Sequence, residues 1–284
     1  VRQSSRLRTF LLAAWLSWQI ESNWADPLLF FIYFVARPIA SLLIIVVMYS
    51  VIAEGILQTP LFAYVYLGNA LFILVAQIMA GVSWAVIEDR EHYRVAKQIH
   101  TAPIDGYMYL LGRGTGRFIV GLISVVITVP FGILVFQLPV VLARIDWVLL
   151  ILSTVLGIIA MGGFGVILGA LTLQAGRQAW YIGETVSGAL YLFTGAIFPI
   201  DVLPEFLRPI GLVMPSTYWL ELARRALIND PTIRYQLLSD IDSTTLLLVL
   251  ALMALVFVIA SVSIYRASLR MAKHKGILDM ETNY

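Results

Sequence analysis

The residues of this chain that are best suited to chemistry are concentrated in one short segment. Glu88 to Pro103, EDREHYRVAKQIHTAP, holds six charged residues and two histidines, in a chain that is 60% hydrophobic and only 13% charged. Carboxylates and imidazoles serve acid–base catalysis, metal binding or docking to a charged partner. The rest of the sequence decides between these roles for this charged segment.

Catalysis and metal binding find little support in the sequence. The three histidines, His92, His100 and His274, have no metal-ligand spacing with one another, and the chain has no cysteine. No buried carboxylate pair and no nucleophile-elbow serine is present. The glycines of GRGTGR at 112–117 follow no predicted strand, and no Walker A motif occurs. We therefore expect no enzyme, no metal and no cofactor site in this chain, and no nucleic-acid partner.

The elements that position the charged segment are predicted to be membrane helices. Soluble domains carry about a quarter of charged residues, roughly twice the fraction found here. Apolar runs near or above the ~20 residues needed to cross a bilayer as a helix predict an all-α polytopic membrane protein with six spans. These runs are 28–53, 61–87, 118–136, 147–173, 179–200 and 244–265.

The distribution of Lys and Arg predicts the orientation. With six spans both termini share one side, and 13 of the 19 basic residues lie on that side against five on the other. The positive-inside rule places both termini on the cytoplasmic side of the cell (inner or plasma) membrane. The charged segment then lies in the cytoplasm, where Pro103 ends its predicted helix. On its own it could equally be a solvated loop.

The two ends of the chain flank a predicted transmembrane domain at 27–266. Within 1–26, the residues Leu7, Leu11, Ala14, Trp15 and Trp18 share one face of a helix, as in an amphipathic helix that lies at the membrane interface. An ordinary solvated helix is the alternative, although two tryptophans would then face water. Residues 267–284 are predicted to be a cytoplasmic tail.

The stretch between spans five and six contains four prolines in seventeen residues, at 199, 204, 209 and 215. These prolines forbid a continuous helix, and the apolar pieces between them are too short to span. Broken apolar helix survives at membrane depth when it is buried in protein or lines a cavity. We predict a pair of short re-entrant or interfacial helices at 199–226, on the external side.

Two charges fall inside predicted spans. Arg37 in span one and Glu184 in span five lie at similar depth and have opposite sign, and an unpaired charge there costs about 2.5–3.5 kcal/mol on insertion scales. The two side chains could pair near a subunit interface. Arg37 could also extend to the cytoplasm alone or bind backbone carbonyls, which the sequence favours.

Two stretches resemble the permeases of type-2 ATP-binding-cassette (ABC) exporters. The first is EDREHYRVAKQIHTAPIDGYMYLLGR, in which an acidic-led helix is followed by Pro103 and by Gly112-Arg113 at the start of span three. The second is GAIFPIDVLPEFLRPIGLVMPSTYWLELAR, from Gly195 to Arg224. Its motifs are Phe198-Pro199, Leu203-Pro204, Pro215-Ser216-Thr217-Tyr218 and Arg224.

This resemblance implies a function for each region. The charged segment would be the coupling helix that docks on a separate ATPase subunit, which would bind the ATP and Mg. Two copies of the chain, or this chain and a related permease half, would form the pathway in the lipid bilayer. The implied coupling residues are Glu88, Asp89, Arg90, Glu91, Tyr93, Arg94, Lys97 and Ile99. The candidate pathway residues are the two intramembrane charges Arg37 and Glu184 and the aromatic residues Tyr33, Phe34, Tyr191, Phe193 and Phe198, for which ordinary packing or lipid contact is the alternative. The candidate external gate is Pro199, Leu203, Pro204, Pro215 and Tyr218.

The substrate is open at this stage. Apolar and aromatic walls fit export of an amphiphilic drug, a natural product or a lipid-like molecule. A polysaccharide or glycolipid is the alternative substrate, although WQIESNWADP before span one differs from the lead of the polysaccharide-exporting branch. An ion-coupled secondary transporter or channel is the alternative function. Such proteins usually place several ionisable groups within their spans.

Overall fold

The computed structural model describes residues 5–23, 27–52, 59–175, 179–228, 238 and 240–276. All regular structure within these residues is helical, as predicted. The helices are α1 (Arg6–Ser22), α2 (Pro27–Phe31), α3 (Arg37–Ile52), α4 (Pro60–Ile87), α5 (Ala96–Thr101), α6 (Gly106–Phe136), α7 (Trp147–Gln174), α8 (Ala179–Phe193), α9 (Arg208–Leu212), α10 (Pro215–Ile228) and α11 (Ser243–Lys275). Short π-helical or 3₁₀ turns occur at Ile32–Ala36, Glu88–His92, Leu142–Arg144 and Ile200–Val202.

Five helices within the described residues are long and apolar enough to cross a membrane. They are Ile32–Ile52, Pro60–His92, Gly106–Phe136, Trp147–Gln174 and Ser243–Lys275. The fifth predicted span corresponds to α8, which has 15 residues and ends at Phe193 rather than near residue 200. Residues 176–178, directly before α8, lie outside the described part of the chain. The chain is therefore a multi-pass membrane protein of helices.

Two spans are longer than the apolar runs predicted. Helix α6 begins at Gly106 instead of residue 118, because Asp105 caps it and accepts hydrogen bonds from Tyr107 N and Met108 N. Helix α11 continues to Lys275, where Gly276 ends it in a left-handed conformation, so the predicted tail at 267–284 begins as helix. Residues 277–284 are outside the described residues. Both helices therefore continue through charged residues until they reach a capping residue.

Helix α4 forms the centre of the bundle. It contacts α3, α6, α7, α8 and α10, and most of its side chains are buried. Small residues allow these close approaches: a Cβ at Gly163 of α7 would lie 3.0 Å from the backbone of Phe257 in α11. Helix α10 packs among α4, α7 and α11 and buries Trp219 against Gly157.

The chain direction gives the bundle two distinct ends. The charged end contains α1, the charged segment, residues 105–117 and the last turns of α11. The proline-rich end contains residues 193–228 and the starts of α4, α7 and α11. The predicted pair of helices at 199–226 corresponds to a 3₁₀ turn at Ile200–Val202 and the helices α9 and α10, of which α10 is almost entirely buried.

Helix α1 packs along the start of α6 through a face other than its apolar face, for which the sequence predicts the membrane interface. Leu7, Leu11 and Trp15 are exposed, whereas the buried face is formed by Thr9, Ala13, Ser17 and Glu21. Gly112 and Gly116 of α6 lie against this face, and Ser17 Oγ donates a hydrogen bond to the Arg113 carbonyl. Small residues therefore make the helix contact, which leaves the apolar face available to lipid.

Candidate functional site

The charged segment is divided by a bend. Glu88–His92 continues α4 as a π-helical turn, and Ala96–Thr101 forms the short helix α5. Arg94, between them, has a left-handed φ of 54°, a conformation that non-glycine residues rarely adopt. The single helix predicted over 88–103 is thus replaced by the end of a spanning helix, a bend and one and a half turns of helix.

The acidic residues of the charged segment face inward. Asp89 is buried and its Oδ1 accepts hydrogen bonds from Nε and Nη2 of Arg113, at 3.2 and 3.0 Å. Arg113 Nη2 also donates to Glu88 Oε2 at 2.9 Å, and Tyr109 Oη donates to Asp89 Oδ2 at 3.0 Å. Arg113, with its side chain almost fully buried, therefore joins α6 to the end of α4 through two carboxylates.

Helix α1 belongs to the same charge network. Glu21 Oε1 lies 2.8 Å from Arg117 Nε, and Arg117 Nη2 is 3.7 Å from Glu88 Oε1. The Arg117 guanidinium also lies 5.5 Å from the centre of the Trp84 ring. Burial raises the pKa of Glu21, and the charge of Arg117 opposes this rise. Arg113 and Arg117 thus connect three separate segments.

Arg90, the basic partner of Glu91, also contacts a distant part of the chain. Arg90 is buried, lies 3.0 Å from Glu91 and donates to the Ala175 carbonyl at 3.3 Å, after the end of α7. The predicted coupling residues therefore fall into two groups. Glu88, Asp89 and Arg90 bind other parts of this chain, and Glu91 pairs with its neighbour Arg90. Tyr93, Arg94 and Lys97 are exposed, and Ile99 is half-buried.

A groove opens between α3, α4 and α8. It has a volume of about 340 Å³, and apolar side chains such as Leu42 and Phe72 form most of its wall. Ser41, Asn69, Gln77, Ser187 and Tyr191 supply polar but uncharged groups. Tyr191 Oη donates a hydrogen bond to Asn69 Oδ1, which joins α8 to α4 beside the groove. Such a surface binds uncharged or amphiphilic molecules better than strongly charged ones.

The predicted pathway residues are only partly gathered at this groove. Tyr191 lines it, but Arg37 and Glu184 are both exposed, and no ion pair joins them in the described part of the chain. The Arg37 guanidinium instead lies 5.1 Å from the centre of the Tyr33 ring. Phe34 is buried, whereas Phe193 and Phe198 are half-buried.

The predicted gate residues lie at the proline-rich end. Pro199, Leu203 and Pro215 are buried, and Pro204 is exposed. Tyr218 donates a hydrogen bond to the Leu212 carbonyl at 2.9 Å, and burial raises the pKa of this tyrosine. This contact ties α10 to the end of α9.

The functional interpretation of the sequence missed Arg117, Glu21 and Asn69, and it gave Arg113 no ionic partner. A signal was present for the two arginines, because Arg113 and Arg117 are four residues apart and share a face of α6. Asn69 is an amide within an apolar span, which is itself unusual.

A comparison with protein-family models matches residues 47–263 to the ABC-2 family transporter protein. The match runs from α3 to α11 and so includes the charged segment, the groove-lining helices α4 and α8, and the proline-rich end. No curated protein matches the chain.

Proposed function

The chain belongs to the ABC-2 transporter family, and from this premise we propose that it is the permease half of an exporter powered by separate ATPase subunits. The family match over 47–263 carries this proposal. Members of the family are membrane transport subunits that work with an ATP-binding subunit. ATP and Mg would bind to that partner.

In this proposal the chain crosses the cell membrane six times, with α8 as the fifth crossing and both termini in the cytoplasm. Thirteen of the 19 basic residues then lie on the cytoplasmic side. The charged end faces the cytoplasm, and the exposed apolar face of α1 lies against the bilayer interface. Helices α9 and α10 are re-entrant from the external side, and the burial of α10 in protein supports this arrangement.

The surface that the ATPase subunit contacts is narrower than the whole charged segment. Tyr93, Arg94 and Lys97 are exposed at the bend and at the start of α5, whereas Glu88 and Asp89 bind Arg113. A push on α5 would reach α4 through the bend and α6 through Arg113. In this proposal the ATPase subunit contacts the exposed residues, and the ion pairs of Arg113 couple the resulting movement of α5 to α4 and α6.

We expect the double variant Tyr93→Ala, Lys97→Glu to reduce co-purification of the ATPase subunit at least about tenfold. Tyrosine and a correctly placed charge commonly dominate an interface, and tenfold corresponds to about 1.4 kcal/mol. The measurement is the amount of ATPase subunit retained on the affinity-tagged permease. Lys273→Glu is the matched control, since Lys273 is also exposed at the charged end but lies on α11. Equal retention by both variants would contradict docking at α5.

The groove between α3, α4 and α8 would form half of the export pathway. A second copy of the chain, or a related permease half, would supply the other half. The apolar wall with uncharged polar groups favours amphiphilic drugs, natural products or lipid-like molecules as substrates.

We expect Gly188→Phe to lower transport about tenfold or more without lowering stability. Gly188 lines the groove, and a Cβ at this position would meet no atom within 4 Å apart from its chain neighbours and the backbone of its own helix, so the ring would occupy the pathway. Export of an uncharged lipophilic dye from vesicles measures the effect. Gly162→Phe is the matched control, because the space around Gly162 is equally open but lies outside the groove. A similar loss in both variants would remove the groove from the pathway.

The function itself is tested by reconstitution. Vesicles that contain the permease and its ATPase subunit should move the dye when ATP and Mg are present, and not with a nonhydrolysable analogue. Dye movement by the permease alone under a proton or sodium gradient would overturn the proposal.

A further inference from the structure

Arg224 of α10 is a cation buried within the proline-rich end. It is 3% exposed, and its guanidinium lies 3.7 Å from the centre of the Tyr64 ring in α4. Its Nη2 donates a hydrogen bond of 2.7 Å to the carbonyl of Gly195, two residues beyond the end of α8. Arg224 therefore touches α4 and the end of α8 at once.

The hydrogen bonding of this guanidinium is incomplete. Its Nε and Nη1 are buried and have no hydrogen-bond partner in the described part of the chain. Glu221, three residues before Arg224, forms its ion pair with Arg225 instead, with 2.8 Å between Oε1 and Nε. Arg224 is thus held by one carbonyl and one aromatic face rather than by an ion pair with a carboxylate.

The Gly195 carbonyl, to which Arg224 donates, lies just beyond the C-terminal end of α8. A helix C-terminus carries partial negative charge, so a cation placed there stabilises the end of the helix. Tyr64 Oη also donates to the Gly195 carbonyl, and Asn69 Nδ2 donates to the Ala196 carbonyl, each at 3.3 Å. Gly195 has a φ of 76°, which a glycine adopts without strain.

This cluster continues into the groove. Asn69 receives a hydrogen bond from Tyr191, and both residues line the groove between α4 and α8. A continuous set of contacts therefore runs from Arg224 through the Gly195–Ala196 carbonyls and Asn69 to the wall formed by α8. Displacement of the end of α8 must break the Arg224 contact and change this wall.

We propose that Arg224 is a positioning residue that latches the outer end of α8 to α4 and α10, and that this latch opens when cargo leaves the groove. The inference rests on the proposed function. In the latched state Arg224 holds the Gly195 carbonyl and Tyr64, and the proline-rich end is closed. In the open state the end of α8 moves away, and water replaces the carbonyl at the guanidinium.

The absence of cysteine allows a direct test with a single introduced thiol. Thr194 is fully buried beside the latch, and Thr194→Cys is a nearly isosteric change. In the reconstituted permease–ATPase complex, we expect slow modification by a membrane-impermeant maleimide at rest and modification about tenfold faster during ATP turnover. Adding Arg224→Gln should give the fast rate without ATP, and Arg224→Lys should restore part of the protection.

Arg208→Gln is the matched control. Arg208 lies at the same end and donates to the Leu203 and Asp201 carbonyls, but it does not touch α8 or α4 through a hydrogen bond. This control should keep the slow rate. An unchanged rate in Arg224→Gln, or the same increase in Arg208→Gln, would overturn the latch.

The wild-type background keeps the test decisive if Arg224→Gln does not fold. Thr194→Cys alone must become more reactive during turnover, and a constant rate in a complex that exports dye would reject the latch while the proposed function stands. Tyr64→Leu, which removes the ring under the guanidinium, should also raise the resting rate, and an unchanged rate would count against the latch. The two proposals can also fail separately in the other direction. If the complex does not export dye with ATP, but Arg224→Gln still speeds the maleimide modification of Thr194→Cys at rest, the proposed function is rejected and the latch is retained.

Discussion

Replacement of Arg113 by methionine is expected to destabilise the protein by about 3–5 kcal/mol, the usual penalty for breaking a buried ion pair from one side. Asp89 is buried and would lose both of its hydrogen bonds from the guanidinium, and Glu88 would lose one. The free energy of unfolding measured in mixed detergent micelles tests this expectation. Restoring neutrality with Asp89→Asn in the same chain should recover part of the loss.

Arg117→Met is the control for this change. Arg117 lies one turn further along α6 and is paired with Glu21, but its side chain is 21% exposed compared with 1% for Arg113. Solvent therefore screens its pair more effectively, and the loss should be clearly smaller. Equal losses for the two variants would contradict a central role for Arg113.

The second large effect is expected from the double variant Gly112→Ala, Gly116→Ala. A Cβ at Gly112 would lie 2.6 Å from the Phe10 carbonyl oxygen, and one at Gly116 would lie 2.8 Å from the Ser17 carbonyl oxygen. Both obstacles are backbone atoms of α1, so the helix must move away from α6, at an expected loss of about 1–3 kcal/mol. A single cysteine in place of the buried Thr9 should then react with a maleimide at least about tenfold faster.

Gly162→Ala provides the comparison for this prediction. It makes the same chemical change within a spanning helix, but the new methyl group meets no atom within 4 Å apart from its chain neighbours and the backbone of its own helix. The higher helix propensity of alanine should leave stability unchanged or raise it by up to about 1 kcal/mol. If Thr9→Cys stays protected in the double variant, α1 is not held by the two glycines.

Sequence alone predicted the helical class and the approximate positions of the five spanning helices found among the described residues, because long apolar runs act locally. It did not predict that Asp89 and Arg90 are buried. The ionic partner of Asp89 is Arg113, 24 residues further along and on another helix. Pairing of this kind depends on how α4 and α6 meet, and no local pattern contains that information.

The face of α1 illustrates a second limit. The apolar residues Leu7, Leu11 and Trp15 predict the face that lies at the membrane interface, and they are exposed, but they do not reveal that Thr9, Ala13 and Ser17 form the buried face against α6. Beside a membrane, lipid is as apolar as leucine, so close packing selects small residues. The sequence leaves open whether Arg37 and Glu184 pair, because depth along a helix says nothing about direction around its axis. In the described residues both side chains are exposed and form no ion pair with each other.

The charge network also constrains how the chain can change over evolutionary time. The positions of Glu21, Glu88, Asp89, Arg113 and Arg117 share one balance of charge although they belong to three segments. A lineage that loses the arginine at position 113 must neutralise the acid at position 89 before or soon afterwards. We therefore expect these five positions to covary among homologous sequences.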